Sequence, residues 1–121
     1  MTMDLDEQLQ KIEREELSPE DREIYERAEK LYGEGQIDEA IPLFEQFISV
    51  TPHSAYTLES TARWTLANCY VKKEQPARAL QQLNFAIDCY DGTRRNAFLD
   101  LLEEERNTLL QEHPDLRPKN L

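Results

Sequence analysis

The chain has 121 residues, enough for one small domain with a modest core but too few for a second independent one. Hydrophobic residues make up 39% and charged residues 32%, with three Gly and six Pro, a balance that suits a soluble helical protein and argues against a loop-rich or all-β fold. The formal charge of −11 makes nucleic acid and anionic membrane surfaces poor partners, because approaching phosphate costs electrostatic free energy.

That charge is unevenly spread. Residues 1–31 hold eleven acids against five bases, and residues 32–59 hold five acids and no base. Residues 60–95 reverse the sign through Arg63, Lys72, Lys73, Arg78, Arg94 and Arg95, and the remainder is acidic again. A basic partner therefore suits the first half. No apolar run approaches the roughly 18 residues that span a bilayer. The stretch Met1 to Gln10 is acidic where a signal peptide would be basic and then apolar, so a cytoplasmic protein is expected.

Residues 1–17 form the first unit. From Asp4 to Glu16, Leu5, Leu9 and Ile12 make a narrow apolar stripe on a charged helix, which either folds back on the repeats, frays, or docks on a partner or a second copy. Ser18-Pro19-Glu20-Asp21 then starts a helix near Pro19, with Ser18 as cap and the acids favouring the helix dipole. It continues to Tyr32, where Gly33-Glu34-Gly35 supplies the positive φ angles that end it. The next helix begins near Asp38 and no earlier than Ile37, since the missing amide of Pro42 is tolerated only within a first turn.

Thr51-Pro52 closes this pair, with Thr51 available to cap the next helix, and an uninterrupted run from Pro52 to Lys73 leaves room for about five helical turns. Gln75-Pro76 opens a further helix, which Asp91-Gly92-Thr93 breaks. A last helix over residues 94–113 puts Phe98, Leu101, Leu102 and Leu109 on one face, with Glu105 as an odd acid among them. His113-Pro114 stops it, and residues 114–121 are expected to be a mobile tail.

Residues 18–93 contain an internal repeat with an offset of 39, which pairs Ala28 with Ala67, Leu31 with Tyr70, Ala40 with Ala79, Phe44 with Leu83 and Ile48 with Ile87. Small residues recur where helices must approach closely, and large apolar residues recur beside them. Such a unit cannot bury its apolar face alone, so units stack.

The pattern resembles the tetratricopeptide repeat over roughly residues 21–93. Ala28, Leu31, Gly35, Ala40, Phe44 and Pro52 match the family's small, large, turn-glycine, alanine, aromatic and terminal-proline positions, with Phe47 replacing a usual alanine. The second unit fits through Leu66, Ala67, Tyr70, Ala79 and Ala86. It departs at Glu74 in the turn-glycine place, at Leu83 for the aromatic and at Asp91 for proline. The offset exceeds the family's usual 34 residues, which lengthens the first helix of the second unit near Ala55 to Glu59.

The resemblance implies an all-α fold of two antiparallel helix pairs in a right-handed superhelix fragment, flanked by helices at both ends. It implies a concave groove lined by the first helix of each pair, which takes a peptide or helix of another protein and has no catalytic activity. The groove positions carried over are Arg22, Tyr25, Glu29 and Tyr32 from the first pair, and Thr61, Trp64, Asn68, Val71 and Lys72 from the second. Trp64, Tyr25 and Tyr32 are the expected apolar anchors, with core placement as their alternative. In relatives that bind chaperone tails a two-carboxylate clamp uses Lys and Asn. Tyr25, Glu29 and Thr65 stand at three of those places, so the resemblance does not extend to that activity, although Asn68 keeps part of it.

No phosphate loop, nucleophile motif or calcium loop is present, and no cofactor or metal is expected. His53 and His113 each sit beside a proline at a helix boundary, without the spacing of a metal pair. Cys69 and Cys89 read as buried free thiols, or as a disulfide between neighbouring helices. The first functional reading is an adaptor or chaperone-like module. The alternatives are a self-associating structural subunit, completed as a homodimer through the first or last helix, and a secretion or assembly chaperone.

Overall fold

The computed structural model describes residues 5–51, 55–90 and 96–117. Its elements are α1 (Leu5–Glu16), α2 (Pro19–Gly33), α3 (Ile37–Val50), α4 (Tyr56–Lys72), α5 (Pro76–Asp88) and α6 (Ala97–Glu112), followed by one 3-10 turn at Pro114–Leu116. Among the described residues every regular element is helical.

The starts of α2, α5 and α6 follow local chemistry. Ser18 Oγ accepts from the Asp21 amide at 3.2 Å, and Pro19 and Pro76 occupy first turns where no amide is needed. The last helix begins at Ala97, three residues later than expected, because Asn96 Oδ1 takes the Leu99 amide at 2.7 Å and fixes the cap there. Arg94 and Arg95, like the breaker Asp91-Gly92-Thr93, lie outside the described residues. Pro42 departs from expectation. It lies in the second turn of α3, beyond the free amides, since the Ala40 amide already bonds Gln36 O at 3.0 Å. Pro42 is solvent-exposed, so the carbonyl it leaves without a donor lies on the wet side of the helix.

Both helix pairs turn by the same device. In the first, the Gly35 amide bonds Tyr32 O and the Gln36 amide bonds Leu31 O, with Gly35 at φ 79°. In the second, the Glu74 amide bonds Val71 O and the Gln75 amide bonds Tyr70 O, with Glu74 at φ 59°. Only the third residue of Gly33-Glu34-Gly35 needs the left-handed region, and its counterpart 39 positions later is a glutamate held there.

α2 packs on α3, α3 on α4, α4 on α5 and α5 on α6, which makes two antiparallel pairs and a terminal helix. Ala28, Ala67, Ala40 and Ala79 are all fully buried, as are Phe44 and Leu83, so the repeated positions share one environment. Phe47, where an alanine was usual, is buried against Tyr25 with ring centroids 4.7 Å apart. Tyr70 OH donates to Glu45 Oε1 at 2.7 Å, and Lys73 Nζ meets Asp38 Oδ1 at 2.7 Å, tying the second pair to the first.

The start of α4 has no local cap. Ala55 holds that place, and Thr51 Oγ1 is buried without a hydrogen-bond partner among the described residues, so Thr51 does not cap the helix as expected. The carboxylate of Glu13, from α1, takes the role instead. Its Oε1 accepts from the Leu58 amide at 2.9 Å, and its Oε2 accepts from Thr57 Oγ1 at 2.6 Å and the Thr57 amide at 3.4 Å. A negative group is also favoured at the positive end of the helix dipole.

Candidate functional site

Of the nine expected groove residues, four lie on α2 and five on α4, and α1 packs against both helices. Arg14 Nη2 pairs with Glu29 Oε1 at 3.2 Å, and its guanidinium carbon stands 5.0 Å from the Tyr25 ring centroid. Arg22 Nε donates to Arg14 O at 3.0 Å, closing the C-terminal end of α1. Gln10 Nε2 donates to Thr61 Oγ1 at 3.2 Å. Four of the nine expected groove residues, Arg22, Tyr25, Glu29 and Thr61, are therefore engaged by the chain's own first helix.

The anchor role expected of Tyr25 is not what its position provides. The ring is fully buried, and burial pushes its hydroxyl far above the usual phenol range, with Glu29 adding to the effect. Of the apolar stripe of α1, Leu9 is half-buried. Leu5 and Ile12 are exposed, and α1 is fixed by Glu13, Gln10 and Arg14 on one side and by buried Leu17 just beyond its end. Sequence reading missed Glu13. No local signal pointed to it, since Thr51 stood as the expected cap and only the observed start at Tyr56 gives the cap place to Ala55.

Trp64 is half-buried under α6. Its ring meets Phe98 edge-on at 5.6 Å, Phe98 meets Tyr90 at 6.0 Å, and Trp64 Nε1 donates to Glu105 Oε2 at 2.6 Å. The odd acid on the apolar face of α6 is thus the partner of the indole. Tyr32 is half-buried beneath Lys72, whose Nζ stands 5.1 Å from the ring centroid.

Asn68 and Val71 remain. They open onto a cleft of about 370 Å³ between α4 and α6, whose floor includes Ala67, Leu83 and Leu109 and whose α6 wall carries Leu101, Glu104 and Glu105. The cleft continues past Val71, Leu109 and Glu112 into a second space of about 320 Å³ bordered by Glu74, Pro76 and His113. Val71 and Leu101, two of the exposed large hydrophobic residues, both line it.

Both cysteines are free. Burial pushes the Cys69 thiol up to about 11 against the pull of Lys72. Burial, then the charge of Glu59, pushes Cys89 up to about 12, and Cys89 Sγ donates to Glu59 Oε2 at 3.4 Å. Among the described residues no cluster of His, Cys, Asp or Glu could hold a metal ion, and no helix is long and apolar enough to cross a membrane. His53 lies outside the described residues, and His113 caps the end of α6.

Comparison with curated proteins and with solved structures returns no match. A family model described as a tetratricopeptide repeat matches residues 31–93, just over half of the chain, from the last turn of α2 past the end of α5. The match agrees with the paired helices, the shared turn device and the repeated buried alanines. The chain belongs to the tetratricopeptide repeat family, whose repeats generally mediate contacts between proteins.

Proposed function

We propose that the protein is an adaptor or assembly module that takes one segment of a partner protein in the cleft between α4 and α6. The observation that carries this is the division of the expected groove residues. On one side α1 engages Arg22, Tyr25, Glu29 and Thr61, while the cleft between α4 and α6 stays open and exposes Val71 and Leu101 beside Asn68. Tyr32 lies beneath Lys72, and Trp64 braces α6 through Glu105. The two free thiols fit a reducing compartment such as the cytoplasm.

A photo-crosslinking residue placed at Asn68 or Leu101 in the full chain tests this reading, with Gln46 on the exposed side of α3 as control. Cross-links to one partner from the first two positions and none from the third support it. Equal capture from Gln46 overturns it.

Self-association is the second reading, favoured by the exposure of Leu5 at 63% and Ile12 at 51% on one helix. Sedimentation of the wild type and of a Leu5→Ser/Ile12→Ser variant decides it. A dimer that becomes monomeric in the variant establishes this route, and a monomeric wild type removes it.

A further inference from the structure

The open cleft has an apolar floor and an acidic border. Val71, Leu101 and Leu109 supply the apolar surface, and Glu74, Glu104, Glu105 and Glu112 stand around it with no Lys or Arg among the lining residues. The four bases among the described residues of the second helix pair turn elsewhere. Lys73 meets Asp38, Lys72 covers Tyr32, Arg63 Nε meets Glu59 Oε2 at 3.0 Å, and the Arg78 guanidinium lies 5.8 Å from the Tyr70 ring centroid.

We propose that the cleft takes a cationic amphipathic segment, with apolar side chains on Val71, Leu101 and Leu109 and with Lys or Arg facing Glu74, Glu104 and Glu112. The inference rests on the cleft being the partner-binding surface and adds the chemistry of what binds. Charge also decides against the exposed apolar stripe of α1 from a second copy, because α1 carries five acids against two bases. Such a helix would bring like charge to the rim. Glu74 sharpens the assignment. Its counterpart Gly35 shows that glycine serves this turn without strain, yet a glutamate occupies the left-handed position and its side chain borders the cleft.

The test uses the full chain and three synthetic 14-residue peptides: an amphipathic Leu/Lys helix, its Leu/Glu counterpart and a scrambled Leu/Lys sequence. Binding is read from the emission of Trp64, the chain's single tryptophan, whose indole bonds the cleft residue Glu105. The amphipathic Leu/Lys peptide should bind at least ten-fold tighter than the other two. A Glu104→Gln/Glu112→Gln variant should weaken it about five-fold, while Glu16→Gln/Glu20→Gln, an equal charge change away from the cleft, should leave it within about two-fold. Glu74→Gly should also weaken binding while raising the melting midpoint by roughly 3 °C, opposite signs that a purely structural role does not produce.

Equal weakening by the two glutamine pairs overturns the proposal in favour of net-charge attraction. If Val71→Ser/Leu101→Ser abolishes binding of Leu/Lys and Leu/Glu peptides alike while the glutamine pairs have no effect, the cleft stands and its cationic preference falls. If that serine variant, folded by circular dichroism, binds every peptide as the wild type does, the cleft itself is not the binding surface. A wild-type dimer that Leu101→Ser dissolves assigns the cleft to a second copy and overturns the proposal too.

Discussion

Glu13 and Thr57 stand 44 residues apart in sequence and meet at 2.6 Å, the threonine hydroxyl donating to Oε2 of a carboxylate whose Oε1 takes the next amide. One side chain from α1 thereby does for α4 what a serine or aspartate one residue before the helix normally does. The same contact holds α1 against α4, and the Arg14–Glu29 pair holds it against α2. Helix capping and the docking of α1 on α4 are one structural act.

Glu13→Ala should destabilise the protein by about 2 kcal/mol, because it leaves the Leu58 amide and the Thr57 hydroxyl buried without an acceptor. Urea unfolding of this variant, of Thr57→Val and of the double variant gives the coupling energy. A double variant no more stable than the sum of two independent losses would show that the two groups do not act together. Native-state amide exchange at Leu58 should quicken in Glu13→Ala.

The two sides of α1 should respond differently to substitution. Ile12→Ser or Leu5→Ser should change the stability of the monomer by no more than about 0.5 kcal/mol, since both side chains are already exposed. Leu17→Ala should cost about 2 kcal/mol through a lost core contact. Thermal melts at low protein concentration separate the two, and equal losses would contradict the observed orientation of the helix.

Trp64 contributes to holding α6. Trp64→Ala should cost about 2 kcal/mol by removing the edge-on contact with Phe98, somewhat below the cost for a fully buried aromatic. Glu105→Gln should cost less than about 1 kcal/mol, because the amide oxygen still accepts from Nε1. Chemical denaturation measures both, and an unchanged midpoint for Trp64→Ala would place the indole outside the fold's support.

The thiols set an alkaline limit. Unfolded cysteines ionise near their ordinary value of 9.0, whereas Cys69 and Cys89 hold their protons to about 11 and about 12. Between those values the unfolded chain releases protons that the folded chain keeps, so the thiols leave stability unchanged below pH 9 and lower it as pH rises from 9 toward 12. Tyr70, pushed up to about 12 by burial and then by Glu45, acts in the same direction over the top of that window. Native protein at pH 8 should alkylate far more slowly than denatured protein. Glu59→Gln should bring the pH dependence of Cys89 labelling downward.

The helix pairs were legible because their signals are local or periodic. Ser18 and Pro19 open α2, Pro76 opens α5, and the offset linking Ala28 to Ala67 and Ala40 to Ala79 marks the close approaches. These features arise from backbone hydrogen bonding and side-chain volume along a few turns, which the order of residues determines by itself. The groove was less legible, because the offset of 39 pairs Tyr32 with Val71 while neighbours distant in sequence leave one half-buried under Lys72 and the other exposed.

The tertiary structure alone decided what covers those positions. Glu13 reaches an uncapped helix, Lys72 and Lys73 turn back on the first pair, and Glu105 meets the indole of Trp64. Each is a long-range electrostatic or hydrogen-bonding choice among many charged residues of similar local context. Helix propensity and apolar period do not distinguish such residues. Only the packing of the helices brings donor and acceptor within about 3 Å of each other, or a cation over a ring within about 6 Å, where the choice acquires free energy.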